Sequence, residues 1–388
     1  MRIVAIRETP VPLQAAFANA VVSFAGHDVS LVAVESDVRR QGRPLTGIAF
    51  NSIGRFAQSG LLRDRFIPRI LAADPDAILD AESGAPDPLR VRQAAMSGEK
   101  PGGHGDRAAA IAALELAVWD LRAKLADEPA WQTIARAFGR EPQQAGAPVY
   151  AAGGYYGADA DASALAEELR GYLDSGYRAV KVKIGGTSLA GDLARIEAAL
   201  AVLDCPTRLA VDANARFDAG TAETWGLALD GYGLRWLEEM VDPLDYRGHA
   251  RLAAGLQTPI ATGENLFSRQ DVVNLLEFGG MRAGRDLFQM DAGLSYGLGE
   301  YAAMLSEAEA RGHDRSQMVP HGGHLINLHI VTALGLGGCE AYPRVFAPVG
   351  GFSPQCRMDD GRVRPGDAPG FGLEGKPELR PWIERVAP

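Results

Sequence analysis

Short apolar runs recur through the middle of the chain, and most of them stop at an ionisable residue. Ala179-Val180-Lys181-Val182-Lys183-Ile184, Arg208-Leu209-Ala210-Val211-Asp212, Trp236-Leu237-Glu238, Ile260-Ala261-Thr262-Gly263-Glu264 and Leu287-Phe288-Gln289-Met290-Asp291 all have strand length. Met318-Val319-Pro320-His321 is a shorter companion. The ionisable residues Lys183, Asp212, Glu238, Glu264, Asp291 and His321 follow one another at steps of 29, 26, 26, 27 and 30 residues. A step of that size holds one strand, one helix and two loops. Helical patterns at 163–173, with Ser163 as N-cap, and at 189–203 fill two of the gaps. Val149-Tyr150-Ala151-Ala152 opens the series, and Glu340 stands where an eighth strand would end. Alternating strands and helices predict a parallel α/β arrangement. Seven or eight units in this stretch predict a (β/α)8-type barrel, whose functional residues gather at the C-terminal ends of its strands.

The first hundred residues lack this period and read as mixed α+β. Residues 30–36 form a strand candidate, and 64–73 a helix with Pro68 near its start. Residues 99–105 hold one proline and three glycines and can only be a loop; it carries Lys100 and His104. Ile111, Leu114, Val118, Leu121 and Leu125 then make a helical stripe, with Asp106 as its N-cap. A Pro/Gly-rich joint at 139–148 separates this part from the repeats. The expected division is 1–125, an α+β capping domain; 126–351, the barrel; and 352–388, a Gly- and Pro-rich segment that packs back on the capping domain.

Composition narrows the partners. With 388 residues, 47% of them hydrophobic, the chain exceeds one compact domain and can bury a large core. A formal net charge of -10 argues against nucleic acid or an anionic membrane as partner. An anionic ligand therefore needs a local positive cluster. Three scattered cysteines supply neither a disulfide framework nor a zinc knuckle, and no run of 18 apolar residues exists. A cytoplasmic protein is expected.

The ladder residues divide by chemistry. Asp212, Glu238 and Glu264 on neighbouring strands would repel one another unless a cation sat among them, and hard oxygen ligands suit Mg²⁺. Glu239 competes with Glu238, but the equal spacing favours Glu238. Lys181 and Lys183, two apart on one strand, face the same way; burial and mutual repulsion are expected to lower their pKa and make a neutral amine. His321 lies across the ladder from Lys183, and Asp291 on the preceding strand could orient its imidazole and raise its pKa. Glu340 reads equally as a substrate contact or a capping acid. Gly335-Leu336-Gly337-Gly338 lacks the spacing of a nucleotide loop.

Taken together, Lys181-Val182-Lys183, Asp212-Ala213-Asn214, Trp236-Leu237-Glu238-Glu239, Gly263-Glu264-Asn265 and the Asp291/His321 pair resemble the mandelate-racemase-like branch of the enolase superfamily over essentially the full length. Longer runs resemble its D-tartrate dehydratase subfamily: Phe50-Asn51-Ser52, Glu99-Lys100-Pro101-Gly102-Gly103-His104-Gly105, Tyr150-Ala151-Ala152-Gly153-Gly154-Tyr155-Tyr156 and Pro320-His321-Gly322-Gly323-His324. Two departures stand out. Met240-Val241-Asp242-Pro243 sets the proline further from the two glutamates, and Ile53 stands where a polar residue is expected in the capping loop. The second bears on substrate identity rather than reaction class.

The resemblance implies a modified, enolase-like barrel capped by an α+β domain that the C-terminal segment completes. It implies Mg²⁺ on Asp212, Glu238 and Glu264, Lys183 as base, Lys181 as a stabilising cation, and His321 with Asp291 as acid. The substrate would be a small dicarboxylate or acid sugar, D-tartrate losing water to give oxaloacetate. Lys100, with Asn19 and Tyr155, would meet its distal end, and Glu340 joins them as a candidate substrate contact. Dehydration of another aldarate or aldonate, racemisation or epimerisation of a 2-hydroxy acid, and a non-catalytic ligand-binding descendant are the alternatives. A homo-oligomer is also implied.

Overall fold

The computed structural model describes residues 1–102, 104–157 and 161–387. Three antiparallel strands, β1 (Ile3–Pro12), β2 (Asp28–Arg40) and β3 (Arg43–Phe50), form the first sheet, in that order. The helix Asp106–Ala126 lies across β2 and β3. Its approach is close because β3 carries Gly47: a Cβ there would run into the Ala117 carbonyl and Leu121. The stripe expected for this helix understates its burial. Ala108, Ala109, Ala110, Ala112 and Ala113 are buried as well, so the helix is covered on several sides.

Seven strands carry the repeating units: β4 (Ala147–Gly153), β5 (Val180–Lys183), β6 (Leu209–Asp212), β7 (Leu237–Glu238), β8 (Ile260–Thr262), β9 (Leu287–Phe288) and β10 (Cys339–Ala341). β4 to β9 pair in parallel in sequence order, and β10 returns to pair in parallel with β4. The segment expected as a seventh ladder strand, 318–321, makes only a bridge from Met318 to Phe288. Pro320 has no N–H to give a ladder, and the chain is held instead by Val319 N to Phe288 O at 2.9 Å and His321 N to Gln289 O at 3.2 Å. Tyr150, Ala210, Trp236, Ala261 and Val319 plug the barrel interior as a small cluster of their own.

After β10 the hairpin β11 (Arg357–Asp359) and β12 (Arg362–Arg364) adds to the start of β4 in antiparallel register. The helix Arg380–Val386 then packs on β1 and β2. Asp120 ties the pieces together: it accepts from Ile48 N at 2.7 Å and Phe371 N at 2.5 Å and pairs with Lys124 at 2.6 Å.

Two local expectations need correction, and the bounds of a third helix shift. The helix at 106 is preceded by Gly105 at φ 77, with no side-chain cap, and Asp106 is its first residue. The helix at 162 is capped by Asp161, whose carboxylate accepts from Ser163 N and Ala164 N; a carboxylate just ahead of the helix outcompetes the Ser163 hydroxyl. Pro68 stands in the first turn of the α-helix Ile67–Ala72, as expected, but helical structure starts before it. The helical run begins at Ser59, and a π-helical turn over Leu62–Phe66 precedes the proline and accommodates its missing N–H.

Candidate active site

Register builds the first half of the site. Lys183 is paired with Asp212, and Asp212 with Glu238, so these three ionisable residues form one layer across β5, β6 and β7. Strand alternation turns Lys181 and Lys183 inward together, while Val180 and Val182 are buried on the helix side. Lys183 Nζ donates to Asp212 Oδ2 at 2.5 Å. Lys181 Nζ, one layer deeper and 1% exposed, lies 2.5 Å from Glu238 Oε1, 2.9 Å from Glu340 Oε1 and 3.7 Å from Asp212 Oδ2. Glu238 also accepts from Trp236 Nε1 at 2.8 Å and Gln289 Nε2 at 2.6 Å.

These contacts reverse one expectation. Burial does push both lysines toward the neutral form, but nearby carboxylates outweigh it. Asp212 holds the Lys183 ammonium above its ordinary pKa, and Glu238 and Glu340 do the same for Lys181. Asp212 is correspondingly held down at about 2, despite its burial, by Lys183 and Lys181.

The second half is built around His321. Its Nδ1 is 3.1 Å from Asp291 Oδ2, and its Nε2 is 3.3 Å from the Tyr342 hydroxyl and 3.7 Å from Glu264 Oε2. Asp291 is fixed by Gly293 N at 2.8 Å and Asn327 Nδ2 at 3.2 Å. The Tyr342 hydroxyl donates to Glu340 Oε2 at 3.1 Å, which leaves it to accept from His321. Both imidazole nitrogens therefore face acceptors. Burial opposes protonation, but Glu264 and Asp291 prevail and push His321 up to about 9. His324, by contrast, caps the helix Leu325–Leu334 and meets Ser52 Oγ at 2.9 Å; burial lowers it to about 4.

A cavity of about 370 Å³ opens above the layer. Lys183, Glu264 and His321 line it, as do Asn19 and Tyr155, all five singled out in the sequence. The Tyr155 ring stands 5.2 Å from Lys183 Nζ and packs with Phe17, Phe24 and Phe346. Asp212, Glu238, Asp291, Lys181 and Glu340 lie beneath this surface, almost fully buried. Glu340 is not a wall of the cavity as a substrate contact requires. Its carboxylate is taken up by Lys181 at 2.9 Å, by the Tyr342 hydroxyl at 3.1 Å and by Gly322 N at 2.8 Å.

Lys100 is also misplaced by the sequence reading. Its loop folds outward, where Arg107 donates to the Lys100 and Gly102 carbonyls, and Lys100 lines a separate cleft with His104, Arg107, Ser268 and Tyr296. Gly103 of that loop lies outside the described residues. Sequence reasoning gives no role in the cavity wall to His27, Arg55 or Tyr342, among others, and meets Asn265 only as part of a motif. Arg55 follows Phe50-Asn51-Ser52 within the same capping loop, and that proximity is its only signal.

Among the described residues no three His, Cys, Asp or Glu side chains stand in a metal-holding group. The donor set nevertheless fits a hard divalent cation. Asp212, Glu238, Glu239 and Glu264 converge in or under one cavity, and the charge is unbalanced: Glu238 is raised by burial and then by Asp212, and Glu239 by burial and then by Glu264. Lys183 donates to Asp212 and Lys181 to Glu238, so each carboxylate already has a cationic partner.

Comparisons with known proteins agree with this architecture. The chain is 29% identical over 293 residues to the L-talarate/galactarate dehydratase of Salmonella typhimurium, spanning 74% of this chain and 68% of that one. It is 29% identical over 281 residues to the arabinonate dehydratase of Saccharolobus solfataricus, spanning 70% and 71%. Its fold superposes on that of a racemase from Streptomyces coelicolor A3(2) with bound magnesium at a TM-score of 0.77, with 24% identity and full coverage of both chains. The L-talarate dehydratase of Polaromonas sp. JS666, complexed with Mg and L-glucarate, gives the same TM-score and identity over 97% of this chain and 95% of that one. Residues 164–379 match the enolase C-terminal domain-like family, and the chain belongs to that family, within the mandelate-racemase-like branch of the enolase superfamily.

Proposed function

We propose that this protein dehydrates an acid sugar, and that its substrate is D-tartrate, converted to oxaloacetate and water. The observation that carries the reading is the presence of Lys183 and His321 in the walls of one cavity, with Glu264 between them in the ladder. A base and an acid on two sides of a bound hydroxy acid suit elimination of water.

A magnesium ion on Asp212, Glu238 and Glu264 would supply Lewis acidity to a substrate carboxylate and draw off the Asp212 charge that keeps a proton on Lys183. Lys183 takes the proton α to that carboxylate. Lys181, beneath it, offsets the negative charge that develops. His321, protonated and oriented by Asp291, gives a proton to the departing β-hydroxyl. The enol left behind takes up a proton at carbon to become the 2-keto acid. Asn19 and Tyr155 close the cavity over the substrate and limit water.

Incubation with D-, L- and meso-tartrate, with and without Mg²⁺, tests the reading by the appearance of a 2-keto acid. Product from D-tartrate only in the presence of Mg²⁺ is the expected result. Product from galactarate but from no tartrate would shift the substrate to a six-carbon diacid, the class named for the Salmonella relative. Inversion of a centre without loss of water would replace the dehydratase by a racemase or epimerase.

A further inference from the structure

We infer that Arg55 receives the far carboxylate of a dicarboxylate substrate and thereby selects diacids over monoacids. The inference rests on the proposed function only for the position of the near carboxylate, at the acidic layer beside Lys183.

Four basic side chains line the cavity: His27, Arg55, Lys183 and His321. Lys183 is bonded to Asp212 at 2.5 Å, and His321 to Asp291 at 3.1 Å. His27 stacks on Phe56 with ring centroids 4.2 Å apart, and burial lowers its pKa toward the neutral form. Arg55 differs from all three. Its partners are Asn265 Oδ1, 2.8 Å from Nη2, and the Phe267 ring, 5.0 Å from the guanidinium carbon. Among the described residues no carboxylate comes within 4.0 Å of it. A permanently charged group thus faces a cavity without a counter-ion of its own.

Its setting suits carboxylate recognition. Asn265 is anchored in turn, donating to Glu239 at 3.0 Å, and with the Phe267 face it fixes the plane of the guanidinium. One of five N–H donors is engaged, and the remaining edge has the fork geometry that a carboxylate accepts. Ile53, two residues earlier on the same loop, lines the cavity with hydrocarbon. Arg55 thus offers a charged partner beside an apolar wall at that end of the cavity. Lys100, the cation expected there from sequence, lines a different cleft. The substrate class that follows is a diacid of the aldarate type, tartrate included, in preference to an aldonate.

The test compares D-tartrate with D-threonate, the same four-carbon chain with CH2OH in place of the far carboxylate. Binding is measured by calorimetry with Mg²⁺ on Lys183→Ala protein, where turnover is blocked, and on the same protein carrying Arg55→Ala or Arg55→Lys. The expected result is tartrate bound about 10- to 100-fold more tightly than threonate. In Arg55→Ala that ratio should collapse toward one with threonate affinity unchanged, and in Arg55→Lys it should recover in part. Equal weakening of both ligands would make Arg55 a mere support for Asn265 and overturn the inference, as would an unaltered ratio or the absence of binding by either ligand. An Arg55-dependent preference in a protein that turns over neither acid would uphold the inference and sink the dehydratase reading. Turnover of D-tartrate with a ratio indifferent to Arg55 would do the reverse.

Discussion

Glu115 caps a helix to which it does not belong. From the middle of the helix Asp106–Ala126 its carboxylate accepts Leu298 N at 2.7 Å, and its other oxygen accepts Gly299 N at 3.0 Å. The helix Leu298–Ala310 has Gly297 at its N-cap and no side-chain cap of its own, so Glu115 satisfies donors that would otherwise be buried and unpaired. Glu115→Ala should therefore destabilise the protein by roughly 1–3 kcal/mol. Urea denaturation of the variant checks this; a midpoint equal to that of the parent would mean that water replaces the carboxylate at no cost.

The two halves of the site separate kinetically. Lys183→Ala should abolish both dehydration and exchange of the substrate α-proton with solvent deuterium. His321→Asn should abolish dehydration and retain exchange, since only the departure of the hydroxyl needs the imidazole. Proton NMR in deuterium oxide follows both. Wild-type exchange in Lys183→Ala would remove that residue as the base.

Metal dependence can be read without turnover. Mg²⁺ should raise the melting temperature of the parent, and chelation should reverse the rise. Asp212→Asn should lose most of the shift, because it removes one ligand charge at the site. A shift of undiminished size in that variant would place the ion elsewhere.

Buried histidines give stability a pH slope. Burial holds His249 down at about 4, against an ordinary value near 6.5 in the unfolded chain. Between those values the unfolded state binds a proton that the native state does not, so stability falls as pH drops from about 6.5 to 4. The loss from this residue is on the order of 2–4 kcal/mol. His249→Leu should flatten that part of the profile in denaturation curves taken at pH 4.5 and 7; an identical slope would assign the effect to other groups.

The ladder is legible because a strand imposes one register on its neighbours. Equal steps from Lys183 to Asp212 to Glu238 become side-by-side pairing in the barrel, so spacing alone places them in one layer. Loop residues carry no such period. Nothing in residues 99–105 tells that Arg107 will turn Lys100 outward, and nothing in Gly54-Arg55 distinguishes a surface arginine from one facing the cavity. The lysine pKa fails for a different reason. Burial is readable from the strand pattern, but its effect is overruled by carboxylates whose distances only the folded chain defines. Helix caps shift by a residue or two, since Asp161 and Gly105 compete with equally plausible neighbours.

The extensive covering of the helix Asp106–Ala126 sets how the cavity can open. Wedged against β3 by Gly47, locked to the C-terminal segment through Asp120, and joined to Leu298 through Glu115, that helix gives the first sheet no hinge on which to swing away. The roof of the cavity is made instead by short stretches around residues 19–27 and 53–55, where Val21 and Val22 are exposed. Any opening of the cavity would then be a local rearrangement of these loops that leaves the helix and its sheet in place.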